Sequence, residues 1–348
     1  AGTSPLALSA VRVAFAVFAL IVPATLMGGT LPVVSSFVSA RAGDLGGRLS
    51  LLYACNTFGA VVGAGAAGFF LLRYYSVTEA VAIAVGINVV LGVLAILLND
   101  PVREALAPAA PGGGGAGPAV PASGDPGAPA DLVPFKLVLW GIGVSGFCAL
   151  GYEVLWTRVL GIVIGASVYG FTIMLMAFLS GIALGSSAYG VYLRLFDGPG
   201  REAEARPMRA VVAFGLVQVA IGGAALVVTH FIRDLPSHAL LLQGYLLGST
   251  ADTFGARQSV DFLLAFSYML VPAFFMGLAF PLAGQIRAEY TRVVGHAVGE
   301  TLAYNTVGAV LGSATSGFVL VYLFGIERSL QLLALVNAGF GALVVVSV

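Results

Sequence analysis

The feature that most constrains this chain is a succession of apolar runs, each long enough to cross a bilayer core of about 30 Å, which takes about 20 helical residues. They fall near residues 10–34, 49–72, 77–98, 136–160, 166–194, 209–232, 262–285, 299–322 and 328–347. In lipid the backbone must satisfy its own N–H and C=O groups, so each run is expected to be an α-helix. A β-barrel would show short alternating strands, and these runs are continuous. A water-facing shell is excluded by composition: 9% of residues are charged, against roughly 25% in a soluble domain. The fold class expected is an all-α polytopic membrane protein.

A net charge of zero gives no basic field for nucleic acid. Cys55 and Cys148 both fall in apolar runs, and His230, His238 and His296 are the only histidines. Neither a metal cluster nor a soluble-type catalytic triad is expected from so few candidates. Residues 101–131 are Pro, Gly and Ala with little to bury, which reads as a flexible linker. LPSHALLLQGYLL (235–247) reads as an amphipathic element at the membrane interface. Ten Lys and Arg, including Arg48, Lys136, Arg194, Arg209 and Arg287, gather on one side. Six, Arg12, Arg73, Arg158, Arg233, Arg257 and Arg328, gather on the other. That bias places the linker, the 194–209 loop and the C-terminus in the cytoplasm.

Two stretches repeat without a gap. VPATLMGGTLP (22–32) lies over VPAFFMGLAFP (271–281), and YACNTFGAVVGAGAAGFFL (53–71) over LAYNTVGAVLGSATSGFVL (302–320). The shift of 249 also sets Asn88 on Asn337 and Gly92 on Gly341. Six runs separate the two starts, and an even number keeps orientation, so the repeat is expected to be parallel. The second copy then has six helices and the first only its last three, with three more expected before Ala1. Residues 1–100 would be the truncated first copy and 132–348 the complete second. Six, a cytoplasmic linker, then six is the plan of major-facilitator transporters.

SGFCALGYEVLWTRVLGIVIGASVYGFTIMLMAFLSGIALGS (145–186), the two MG…P segments and the two NT-x-GA helices resemble the membrane domain of fused, multi-pass spermidine synthase-like proteins of bacteria. The YEVLWTR block (152–158) is the most specific part of that resemblance. The resemblance implies a bacterial inner-membrane location, a role in polyamine metabolism and a cytoplasmic aminopropyltransferase-like partner domain after the C-terminus. No Gly-rich strand–turn–helix fingerprint occurs in residues 1–348, so no catalytic residue and no cofactor are expected in this chain.

Several polar residues interrupt the apolar runs. Glu153 and Arg158 lie about 140° apart on a helix and cannot easily pair. Arg158, with Trp156, reads as an interfacial belt; Glu153, beside Tyr152, reads as facing a cavity or a donor from another helix. Asn56 and Asn305 are equivalent in the repeat, and so are Asn88 and Asn337. Either they make interhelical hydrogen bonds or they line a central path. Glu300 reads as an acid at a helix start, favoured by the dipole, or as a path residue. Two functions remain open: a module that binds or moves a small polar or cationic molecule, and a membrane anchor or subunit that moves nothing.

Overall fold

The computed structural model describes residues 5–39, 45–98, 133–196, 206–247, 253–291 and 294–348. The 101–131 linker lies outside them. The described residues are helical: α1 (Pro5–Ser39), α2 (Leu45–Gly65), α3 (Leu72–Tyr74), α4 (Val77–Leu97), α5 (Val133–Ile164), α6 (Val168–Phe196), α7 (Arg206–Phe231), α8 (Leu235–Leu247), α9 (Phe254–Thr291), α10 (Val294–Thr315) and α11 (Val321–Val346). Eight helical stretches among them are long and apolar enough to cross a membrane, as a multi-pass membrane protein requires. The sequence predicts nine runs. The difference lies in the stretch Val294–Val346, whose 53 residues run on through α10 and α11. Gly325 breaks it with φ 74° and ψ 176°, a conformation that L side chains rarely adopt and glycine adopts freely. The eighth and ninth runs are the two arms of that break.

The chain divides into two compact units, residues 1–64 with 133–348, and residues 65–132. In the first, three helix pairs touch backbone to backbone at glycines. α9 meets α6, where a Cβ at Gly181 would lie 2.6 Å from the Ala273 Cβ. α10 meets α5, where a Cβ at Gly308 would lie 2.8 Å from the Gly143 carbonyl carbon. α11 meets α7, where a Cβ at Gly222 would lie 2.8 Å from the Ala338 Cβ. Without a hydrophobic driving force between helices in lipid, such close van der Waals approach is what holds them together. α8 is a helix with Leu235 and Ala239 buried and Leu240, Leu241 and Tyr245 exposed.

The same unit holds a junction in which several residues have their repeat equivalents beside them. Leu49, Phe280 and Val298 form a buried cluster with Leu31, Tyr53, Val294 and Leu302 around it. Leu49 with Val298, Leu31 with Phe280, and Tyr53 with Leu302 are repeat-equivalent. Tyr53 stacks on Phe280 at 4.5 Å. Gly46 leaves room for Gln285, and its equivalent Gly295 leaves room for Ser36, the equivalent of Gln285.

Residues 65–132 contain a π turn, Ala66–Leu71, then α3, an extended Tyr75 and α4. Ser76 caps α4 in a capping box: it receives the Glu79 N–H, and the Glu79 carboxylate receives the Ser76 N–H at 2.8 Å. The second copy has the same local sequence of events. Its π turn is Ser316–Leu320, and its break falls at Gly325, the equivalent of Ser76. One copy starts its next helix with a hydroxyl cap, and the other turns at a glycine.

Candidate functional site

The YEVLWTR block lies in the second half of α5. Tyr152 and Trp156, one turn apart, share a face. They are 0% and 2% exposed, with rings stacked at 5.1 Å. Phe178 of α6 meets the Trp156 ring edge-on at 6.5 Å. Trp156 is therefore not part of an interfacial belt. It belongs to the stripe Tyr152, Leu155, Trp156, Val159 and Leu160, which the helical period buries together. Arg158 lies about 200° round the helix from Trp156 and is exposed. Its Nη2 donates to the Gly317 carbonyl at 3.2 Å, inside the π turn, where the wider i→i+5 pattern disturbs the regular ladder. Glu153 is half-buried. It does not pair with Arg158, and the donor expected from another helix is not found among the described residues.

A cleft of about 510 Å³ opens beside this block, lined by Arg158, Gly161, Gly165, Ser167 and Phe171. A second groove of about 500 Å³, almost wholly apolar, runs between α5 and α10 along Trp140, Phe147, Tyr304, Val307 and Leu311. Neither has Glu153 or an asparagine among its lining residues.

The four asparagines sit in different surroundings. Asn305 is half-buried on α10 against Gly146, where a Cβ would lie 2.8 Å from its Oδ1. Asn56 is exposed on α2. Asn88 is exposed on α4, and its Nδ2 donates to the Ala84 carbonyl of its own helix at 3.0 Å. Asn337 is 1% exposed on α11, with neither end of its carboxamide hydrogen-bonded among the described residues. Glu300 is not at a helix start: α10 begins at Val294 and has no acid in its first turn. It is held instead by Arg287, whose Nε donates to its Oε2 at 2.7 Å, with His296 Nδ1 at 3.6 Å. The Arg287 guanidinium covers the Tyr290 ring at 5.2 Å.

Other polar groups escaped the sequence reading. Gln218, on α7, is 1% exposed and both ends of its carboxamide lack a partner among the described residues. Its Cβ would lie 2.8 Å from one built on Gly341, so it sits in the α7–α11 contact, one turn from Asn337's position along α11. Phe214 and Phe340 both press on Gly141, which brings α5 to the same level. In the π turn before α11, the Ser316 hydroxyl faces Gly151, and the hydroxyls of Ser316 and Tyr152 are buried without partners among the described residues. Cys148 reaches the Leu333 carbonyl between these two levels, at 3.4 Å. A single Gln inside VVAFGLVQVAIGG (211–223) was the available signal. At the far end of α9, Tyr189 donates to Gln285 at 2.7 Å and Gln285 to Glu289 at 2.9 Å. Ser50 and Ser186 each donate to the other's carbonyl, tying α2 to α6. Among the described residues no three His, Cys, Asp or Glu side chains come together as metal ligands. No protein-family model, no curated protein and no solved structure matches the chain.

Proposed function

We propose that this chain is the membrane domain of a spermidine synthase-like protein, working with a cytoplasmic aminopropyltransferase-like domain and binding a small polar or cationic molecule of the polyamine class between α5, α7 and α11. In this reading residues 5–98 and 133–348 follow a major-facilitator-like plan of parallel repeats in the bacterial inner membrane, with the C-terminus in the cytoplasm. The YEVLWTR resemblance supports the family. The reciprocal junction and the matched π turns support the repeat.

The observation that carries the binding reading is the pair of buried carboxamides, Gln218 and Asn337, with all four polar atoms unpartnered among the described residues. A buried polar group left without a hydrogen bond costs about 1–3 kcal/mol, so four such atoms are a large cost for a core to bear without a purpose. Carboxamide oxygens accept from ammonium groups without adding charge to the bilayer interior. The Tyr152 and Ser316 hydroxyls supply a second polar level, separated from the first by apolar side chains such as Leu333. Polar levels with apolar spacing suit an elongated molecule with ammonium ends and a methylene middle.

The test is thermal unfolding in detergent micelles with putrescine or spermidine added. The parent is expected to be stabilised by the polyamine, and the Gln218→Leu/Asn337→Leu double variant to fold but to show no response. A parent with no response to either polyamine overturns the binding reading. That outcome would favour the second reading, a non-transporting membrane anchor or subunit, which the glycine-tight packing of α5, α6 and α7 on α10, α9 and α11 also suits.

A further inference from the structure

The cleft beside the YEVLWTR block is made by the turn between α5 and α6. α5 stops at Ile164, and the chain turns on Gly165 with φ 96°. Ser167 then caps α6: its Oγ accepts the Gly170 N–H at 3.0 Å, which leaves the hydroxyl proton to be donated elsewhere. Its hydroxyl, that of Thr157 and the Arg158 guanidinium all line the cleft, beside the apolar side chains of Ile162 and Phe171. No acid is among the lining residues.

Arg158 carries the only charge in that lining. A guanidinium has five N–H donors in a fixed fork. One, on Nη2, goes to the Gly317 carbonyl at 3.2 Å, which holds the group in place; the others have no partner among the described residues. Glu153, the acid nearest in sequence, lies about 140° away round α5 and does not pair with it.

Depth gives a second, independent argument. The turn joins two spans, Pro134–Ile164 and Val168–Leu193, so the cleft opens at a membrane surface. The 31 residues of the first span make a helix of about 46 Å, which exceeds a core of about 30 Å by about 8 Å at each end when centred. Arg158 comes six residues before Ile164, or about 9 Å from the helix end. It therefore sits at the edge of the hydrocarbon, and its long stem brings the guanidinium to the layer of lipid phosphates.

We propose that this cleft is a binding site for an anionic phospholipid, with the phosphodiester on Arg158, the Thr157 and Ser167 hydroxyls on the remaining headgroup oxygens, and the first methylenes of the lipid against Ile162 and Phe171. Phosphate oxygens match the guanidinium fork, and a lipid without a cationic headgroup adds no repulsion beside it. The cleft's volume of about 510 Å³ falls in the range of about 300–1,000 Å³ usual for ligand sites. At about 30 Å³ for each water-sized group it is far larger than inorganic phosphate needs, which favours a headgroup with part of its chains. The inference is independent of the polyamine reading.

The experiment titrates the purified chain in detergent micelles with phosphatidylglycerol, with phosphatidylcholine of the same acyl chains, and with sodium phosphate. Thermal unfolding and native mass spectrometry read the response. Phosphatidylglycerol is expected to raise the melting midpoint and to be retained about ten-fold more tightly than phosphatidylcholine, while sodium phosphate changes nothing. Arg158→Gln removes the cation and is expected to abolish the preference. Gly161→Leu leaves Arg158 in place and fills the cleft; a Cβ there meets no described atom within 4 Å, so the variant is expected to fold and to lose the preference too. It decides the matter even if Arg158→Gln fails to fold because the Gly317 carbonyl loses its donor. Equal retention of the two lipids by the parent would mean ordinary lipid solvation and overturn the proposal. An equal response to sodium phosphate would mean a small-anion site and overturn it as well. So would an unchanged preference for phosphatidylglycerol in either folded variant.

Discussion

Replacing Gly312 with alanine perturbs α5 and α10 where their backbones touch. The new methyl would lie 2.6 Å from the Phe147 carbonyl carbon and 2.7 Å from its Cα, against an ordinary carbon–carbon separation of about 3.5–4.0 Å. The helices must part by about 1 Å at this level, and the shift reaches Gly308 on Gly143 and Asn305 on Gly146, about one and two turns back along α10. A gap of that size forfeits about half of each contact's well of about 0.1–0.2 kcal/mol, so some 40 atom pairs would lose about 3 kcal/mol. Alanine recovers about 1 kcal/mol of helix propensity. The net expectation is a loss of about 2 kcal/mol, in the usual range for overpacking. Gly63→Ala in residues 1–348 is the matched control: the same substitution at the equivalent position, with open space within its unit. It is expected to be neutral or to gain up to about 1 kcal/mol. Equilibrium unfolding in mixed micelles, followed by far-ultraviolet circular dichroism, measures both. If Gly312→Ala and Gly63→Ala differ by less than about 0.5 kcal/mol, the argument from backbone contact is wrong.

Trp156→Ala is expected to cost about 3–5 kcal/mol in the same assay, because it empties a buried, stacked site; an interfacial tryptophan would lose far less. In the absence of polyamine, Gln218→Leu is expected to stabilise the chain by about 1–3 kcal/mol, since it removes unpartnered buried polar atoms at similar volume; a loss of stability would show that the carboxamide has a partner in the protein. A double-mutant cycle between Arg287→Ala and Glu300→Ala is expected to give a coupling of about 1–2 kcal/mol; a coupling near zero would mean that the contact does not hold α9 to α10. Residues 1–348 are expected to show no aminopropyl transfer to putrescine, and product formation by the purified chain would contradict the proposal that catalysis lies outside these residues.

The sequence alone determined the class of the protein and the position of its helices, because hydrocarbon thickness and backbone satisfaction leave one solution for runs of this length. It also revealed the repeat, since an ungapped match over Pro23/Pro272, Pro32/Pro281 and Asn56/Asn305 is independent of how the helices pack. It did not reveal which face of each helix is covered. All faces of these helices are apolar, so periodicity carries almost no direction in lipid. Trp156 shows the consequence: its type and its neighbour Arg158 suggest an interface, but stacking on Tyr152 and contact with Phe178 put it inside. Glu300 likewise looked local until α9 brought Arg287 to it. The equivalent asparagines make the point most directly. Asn56 and Asn305 are the same residue in the same local sequence, yet one is exposed and the other lies against Gly146, because only the second has α5 beside it. Local sequence sets a helix and its notches; what fills a notch depends on another helix, and only the tertiary structure supplies that.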